Sequence, residues 1–133
     1  MQHSVILIFL VCFIIFNSSC QVKPGKSRVL VIEKCQSLPG IKSGDTLLVK
    51  FEEFPGRGYS WQLKETPGLN AVFSFLGKFK EPQADLNDDS RQLLIFRFVA
   101  LKKAKYLLEF EYRRPWEKDK AAAQECKLQV DIR

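Results

Sequence analysis

Nucleophilic or acid–base chemistry requires a nucleophile, a base and a group to orient them, and this chain is poor in the usual bases. Its one histidine is His3, which sits beside a run of apolar residues. Beyond that region there is no imidazole to activate a serine or cysteine, so Ser-His and Cys-His machinery is excluded. Cys35 and Cys126 offer too few soft ligands for a transition metal. No Gly-rich phosphate loop is present. Carboxylate pairs remain as candidates for work on a sugar, at Glu52, Glu53, Glu109 and Glu111. Glutamates at alternating positions are also what the wet face of a strand looks like, and that is the reading adopted. The chain is expected not to be an enzyme and to need no cofactor or metal.

The residue types that can make a binding surface are better represented. Phe54, Pro55, Gly56, Arg57, Gly58 and Tyr59 run directly into Ser60-Trp61. Proline restricts φ there, and the glycines permit unusual backbone angles and close approach to another surface. Arg114, Pro115 and Trp116 come directly after a strongly alternating segment. Tryptophan and arginine are the side chains that most often dominate interface energy. A third stretch, containing Asp85, Leu86, Asn87, Asp88 and Asp89, is a polar acidic loop. Trp61 itself is expected to be buried on a strand, and Trp116 to be more exposed.

These segments lie between short β-type runs. Residues 28–34, 46–52, 59–63, 72–80, 92–101, 105–113 and 127–132 are apolar or alternating, and turn residues separate them. In 105–113, Tyr106, Leu108, Phe110 and Tyr112 share one parity, while Glu109, Glu111 and Arg113 share the other. Phe73, Phe75 and Phe79 are all odd and are expected on one face. Pro39-Gly40 and Ser43-Gly44-Asp45 read as turns. Only residues 121–124 suggest a helical turn. Seven to eight strands at this spacing predict an all-β immunoglobulin-like sandwich or barrel, whose loops cluster at its ends.

Residues 5–16 are twelve apolar residues without a charge, with Ser18 and Ser19 just beyond them. That is short for a membrane span and has the length of a signal-peptide core. The expectation is a signal peptide over 1–20 and an exported domain over 21–133. Cleavage before Cys20 would instead leave a lipid-bearing cysteine, and simple secretion is preferred because Asn17 stands where a lipoprotein signal has an aliphatic residue. Every charged side chain lies beyond Cys20, so the domain carries the whole net charge of +6. An exported chain with its cations spread along strands does not point to nucleic acid; a solvated basic surface fits better, and it would speed encounter with an acidic partner. Cys35 and Cys126 form an even pair, which in an oxidising compartment suggests one disulfide, the alternative being two buried thiols.

The two loop segments together resemble the chagasin-type inhibitors of cysteine peptidases. That family carries Asn-Pro-Thr-Thr-Gly-(Phe/Tyr)-x-Trp in one loop, matched here by Pro55, Gly58, Tyr59 and Trp61, and Arg-Pro-Trp after a late strand, matched by Arg114, Pro115 and Trp116. The resemblance covers roughly residues 28–133. Phe54 replaces the motif's Asn and Gly56-Arg57 its Thr-Thr, and the family's Gly-x-Gly-Gly has no counterpart between Pro82 and Arg91. These departures bear on potency and target choice more than on fold. The resemblance implies a competitive, reversible, non-covalent inhibitor of papain-family cysteine peptidases, and the domain is expected to be a monomer. The loop at 54–59 would enter the cleft, with Trp116 and the 85–89 loop on its flanks. The rival reading is an exported adhesion or binding module of the same fold.

Overall fold

A computed structural model describes residues 26–81 and 91–133. The expected signal segment 1–20, Cys20 within it, and the loop bearing Asp85, Leu86, Asn87, Asp88 and Asp89 lie outside the described residues. Eight strands form, with one short helix: β1 (Val29–Ile32), β2 (Leu38–Ile41), β3 (Thr46–Glu53), β4 (Ser60–Leu63), α1 (Leu69–Val72), β5 (Phe73–Lys80), β6 (Gln92–Ala100), β7 (Ala104–Arg113) and β8 (Gln124–Ile132). They make two four-stranded sheets, ordered β1-β3-β6-β5 and β2-β8-β7-β4. The β1–β3 and β2–β8 pairs are parallel and the other pairs antiparallel. This is the all-β, immunoglobulin-like sandwich that the alternation implies.

The core is the space between the sheets, filled by the inward parity of each strand. Leu47, Val49 and Phe51 come from β3 and Leu94, Phe96, Phe98 and Ala100 from β6; Leu108 and Phe110 from β7 and Cys126, Leu128 and Val130 from β8 face them. Aromatic rings dominate the contact. Phe96 meets Phe110 edge-on at 5.1 Å between centroids, and Phe51 stacks on Trp61 at 4.2 Å. Such pairs add about 0.5–1.5 kcal/mol each beyond their buried area. The chain passes from one sheet to the other between β3 and β4, so the 54–59 connection crosses the end of this core directly above the Phe51–Trp61 stack.

Three local expectations are corrected. Phe73, Phe75 and Phe79 do not share a face. The β5–β6 register shifts between Phe75 and Gly77, and Gly77 has φ +110°. One extra residue reverses the parity of everything after it, so Phe79 lies on the outer face against Arg97, whose guanidinium carbon is 5.0 Å from the ring centroid. Residues 38–41 are a strand and not a turn. Pro39 is tolerated because β2 is an edge strand, and its register also shifts beside Gly40. Residues 121–123 are not helical, and the short helix α1 precedes β5 instead.

Two devices tie the first strands down. Cys35 and Cys126 are bonded, with Cα atoms 5.6 Å apart across 91 residues of sequence. Such a bond typically contributes about 2–4 kcal/mol. Asp45 is buried at the turn before β3, where it accepts from the Arg28 guanidinium at 2.7 Å, the Lys42 N–H at 2.9 Å and the Arg28 N–H at 3.1 Å. The bond from Arg28 is the main reason its carboxyl is held down at about 2.

Candidate functional site

The neck of the 54–59 loop is closed by side chains. The Ser60 hydroxyl donates to the buried Glu53 carboxylate at 2.9 Å, and the Trp61 indole N–H donates to the Glu52 carbonyl at 3.1 Å. Above the neck, Pro55–Arg57 make one 3-10 turn, with Arg57 N–H donating to Phe54 O at 3.1 Å and Gly58 N–H to Pro55 O at 2.9 Å. Pro55 suits the first position of that turn because its missing N–H has no partner to lose. The turn can end only in the left-handed region, and Gly58 supplies it with φ +72°. Pro55, Gly56 and Arg57 are exposed at the crest, while Phe54, Gly58 and Tyr59 are half-buried.

The second loop begins at the end of β7. Pairing with β8 ends at Tyr112, opposite Gln124, and Pro115, which cannot donate to a ladder, does not resume it as the chain turns out. The Arg113 guanidinium then organises the 117–120 segment. Its Nη2 donates to the carbonyls of Glu117 at 2.9 Å, Lys118 at 2.9 Å and Lys120 at 2.7 Å, while Nη1 donates to Glu111 at 3.1 Å. The Lys120 ammonium, 2.9 Å away, holds the Glu117 carboxyl below its ordinary range, and Arg114 at 3.5 Å adds to this.

The two loops are one body. Trp116 lies against Gly58 so closely that a β-carbon there would sit 2.7 Å from the ring atom Cη2. Arg114 Nε donates to the Arg57 carbonyl at 3.4 Å, and its guanidinium carbon stands 4.7 Å from the centroid of Tyr59. Tyr59 stacks on Tyr112 at 5.4 Å, and Tyr112 packs on Trp61 at 5.2 Å. A continuous series of rings therefore runs from the core out to Arg114. Trp61 is 6% exposed and Trp116 67%, as their strand and loop positions imply.

Phe54, Pro55, Gly56, Arg57, Gly58, Tyr59, Arg114, Pro115 and Trp116 are thus brought together at one end of the sandwich. The 85–89 loop is outside the described residues, but its flanks reach the same end. Glu81 N–H donates to Leu93 O at 3.0 Å, and Arg91 pairs with Glu52. Four positioning residues were not legible as such: Arg113, Glu53, Tyr112 and Glu117. Tyr112 has only the parity of a core residue, and the other three look like ordinary strand-end or loop charges. Among the described residues no group of three His, Cys, Asp or Glu side chains is placed to hold a metal, and no helix is long and apolar enough to cross a membrane. The arrangement offers a preformed convex surface, with a Pro-Gly-Arg crest and an exposed indole beside it.

Comparison with known proteins agrees with this fold. The crystal structure of the cysteine protease inhibitor EhICP2 from Entamoeba histolytica superposes with a TM-score of 0.69 at 18% identity, covering 83% of this chain and 100% of that one. The solution structure of amebosin gives a TM-score of 0.56 at 18% identity, covering 82% and 100%. No curated protein matches the chain by sequence. Residues 40–130 match the family described as chagasin family peptidase inhibitor I42. The chain belongs to the chagasin family of peptidase inhibitors.

Proposed function

We propose that this protein inhibits papain-family cysteine peptidases reversibly and without covalent chemistry, by seating the 54–59 loop in the catalytic cleft with Trp116 alongside. The observation that carries the reading is the Gly58–Trp116 contact, which fixes the two loops as a single wedge before any partner arrives. A preordered wedge loses little conformational entropy on docking. The turn also explains why the wedge is not simply cleaved. Its crest is a hydrogen-bonded 3-10 turn, whereas a scissile peptide must lie extended with its carbonyl in line with the nucleophile. The similar fold of a cysteine protease inhibitor supports the same assignment.

In this reading the contact residues are Phe54, Pro55, Gly56, Arg57, Gly58 and Tyr59 in the cleft and Arg114, Pro115 and Trp116 beside it. The family resemblance adds Asp85, Leu86, Asn87, Asp88 and Asp89 as flanking contacts. The protein acts as a secreted monomer after removal of residues 1–20, the apolar run at 5–16 being the support for export. The test is steady-state inhibition of several papain-family enzymes, with a serine peptidase as control, by oxidatively refolded residues 21–133. Competitive, reversible inhibition of the cysteine enzymes alone is expected. No inhibition at micromolar protein, with the fold intact by circular dichroism, overturns the reading.

A further inference from the structure

The crest carries one long side chain. Pro55 and Gly56 present little beyond backbone, and Gly58 is covered by Trp116. Arg57 alone projects from it, with its guanidinium carbon 5.3 Å from the centroid of the Phe54 ring. That stacking holds the planar group over the ring and leaves its N–H donors, which lie in the guanidinium plane, free to bond at its edges. Among the described residues no carboxylate lies within ion-pair distance of Arg57. The nearby loop carboxylate, Glu117, already serves Arg114 and Lys120. The two described loops, 54–59 and 113–120, hold five cationic side chains against two anionic ones, so this pair of loops is locally basic, while the aspartates Asp85, Asp88 and Asp89 belong to the third loop.

A guanidinium pushed into a narrow cleft loses water. If the cleft is apolar or basic opposite the crest, that charge is left buried and unpaired, at a large cost. If the cleft has a carboxylate there, the fork meets a bidentate acceptor and the loss is offset. One residue then both rejects wrong partners and attracts right ones. Resting on the proposed function above, we infer that Arg57 is the specificity-determining residue of the wedge and selects papain-family peptidases with a carboxylate in the cleft opposite the crest.

The test uses a matched pair of enzymes: a papain-family peptidase with a glutamate or aspartate lining its cleft, and the same enzyme with that residue changed to the amide. Inhibition constants are measured for wild-type protein, Arg57→Gln and Arg57→Lys at low and high salt. Against the acidic enzyme Arg57→Gln should raise the constant at least tenfold. Against the amide variant the same substitution should change it less than threefold. Arg57→Lys should keep most of the advantage at low salt and lose it at high salt, since it retains charge without the stacked fork. Equal losses on both enzymes would overturn the inference and assign Arg57 a packing role on Phe54. No loss on either would overturn it by placing the side chain at the rim. Failure of the wild-type protein to inhibit either enzyme would overturn the reading of the site itself, and this inference with it. Arg57 is exposed, so the substitutions leave the core intact, which circular dichroism checks.

Discussion

Gly58 is constrained twice, by φ +72° and by the indole lying where a β-carbon would go. A side chain in the left-handed region costs about 1–2 kcal/mol on its own, and in Gly58→Ala the methyl also pushes Trp116 aside. Gly58→Ala should therefore weaken inhibition at least about tenfold. Trp116→Ala should weaken it by about 2 kcal/mol or more, if the exposed ring is an anchor of the interface. The informative measurement is the double mutant. With the ring gone the methyl meets only Arg114 Nε at 3.9 Å, an ordinary van der Waals contact, so the two losses should combine to clearly less than their sum. Strict additivity of the inhibition constants would contradict the contact. At this scale the sequence disclosed the glycine, the proline and the tryptophan, because their types are rare and their roles are backbone-driven. It did not disclose that Gly58 and Trp116 touch, since no local pattern links residues 58 positions apart.

Elements position the site through their ends. β7 closes on Arg113, whose three carbonyl bonds shape the 117–120 segment and so set the path out of Trp116. All three bonds come from Nη2 while Nη1 holds Glu111; lysine has a single nitrogen on a stem of different reach and cannot keep both sets of bonds. In Arg113→Lys, trypsin should cleave after Lys118 and Lys120 faster than in the wild type, and inhibition should weaken, while far-ultraviolet circular dichroism stays the same. Unchanged cleavage would remove Arg113 from the positioning residues. At the other end of β3, Asp45 titrates at about 2 in the fold against an ordinary value of 3.8. A depressed carboxyl stabilises the fold fully above roughly pH 5, and the contribution fades as pH falls from there towards 2. The Arg28 side chain is half open to water, so solvent screening limits the contribution to about 1 kcal/mol. Urea midpoints for wild type and Asp45→Asn should differ at pH 7 and converge near pH 2. Strand parity was readable wherever no bulge intervened, as in β7, where Leu108 and Phe110 are buried. It failed in β5, because a single inserted residue at Leu76-Gly77 leaves no trace in hydropathy while turning Phe79 outward.

For the whole molecule, the question is what keeps two sheets from sliding apart when only loops join them at the wedge end. The core of interleaved rings supplies most of the cohesion, and it was legible in outline, since alternation over seven segments already implied two facing layers. The eighth strand, β2, was hidden behind a Pro-Gly pair that usually means a turn. It matters because β1 belongs to one sheet and β2 to the other, so the β1–β2 connection straps the sandwich together. Cys35 lies in that strap and Cys126 in the inward row of β8, directly opposite Phe110 of β7. The bond therefore fastens the strap to the sheet that carries the Trp116 loop. Reducing it frees the unfolded chain more than it disturbs the folded one, and a long closed loop makes that entropy large. The thermal midpoint should fall by at least about 10 °C in reductant. Inhibition measured well below that midpoint should change less than threefold, because no atom of the wedge depends on the bond for a hydrogen-bond partner. Calorimetry with and without reductant, paired with inhibition assays at about 25 °C, separates the two effects. An unchanged midpoint would show that the strap is held by β2–β8 pairing alone, and a large loss of inhibition in protein that remains folded would show that the bond also sets the position of the loops.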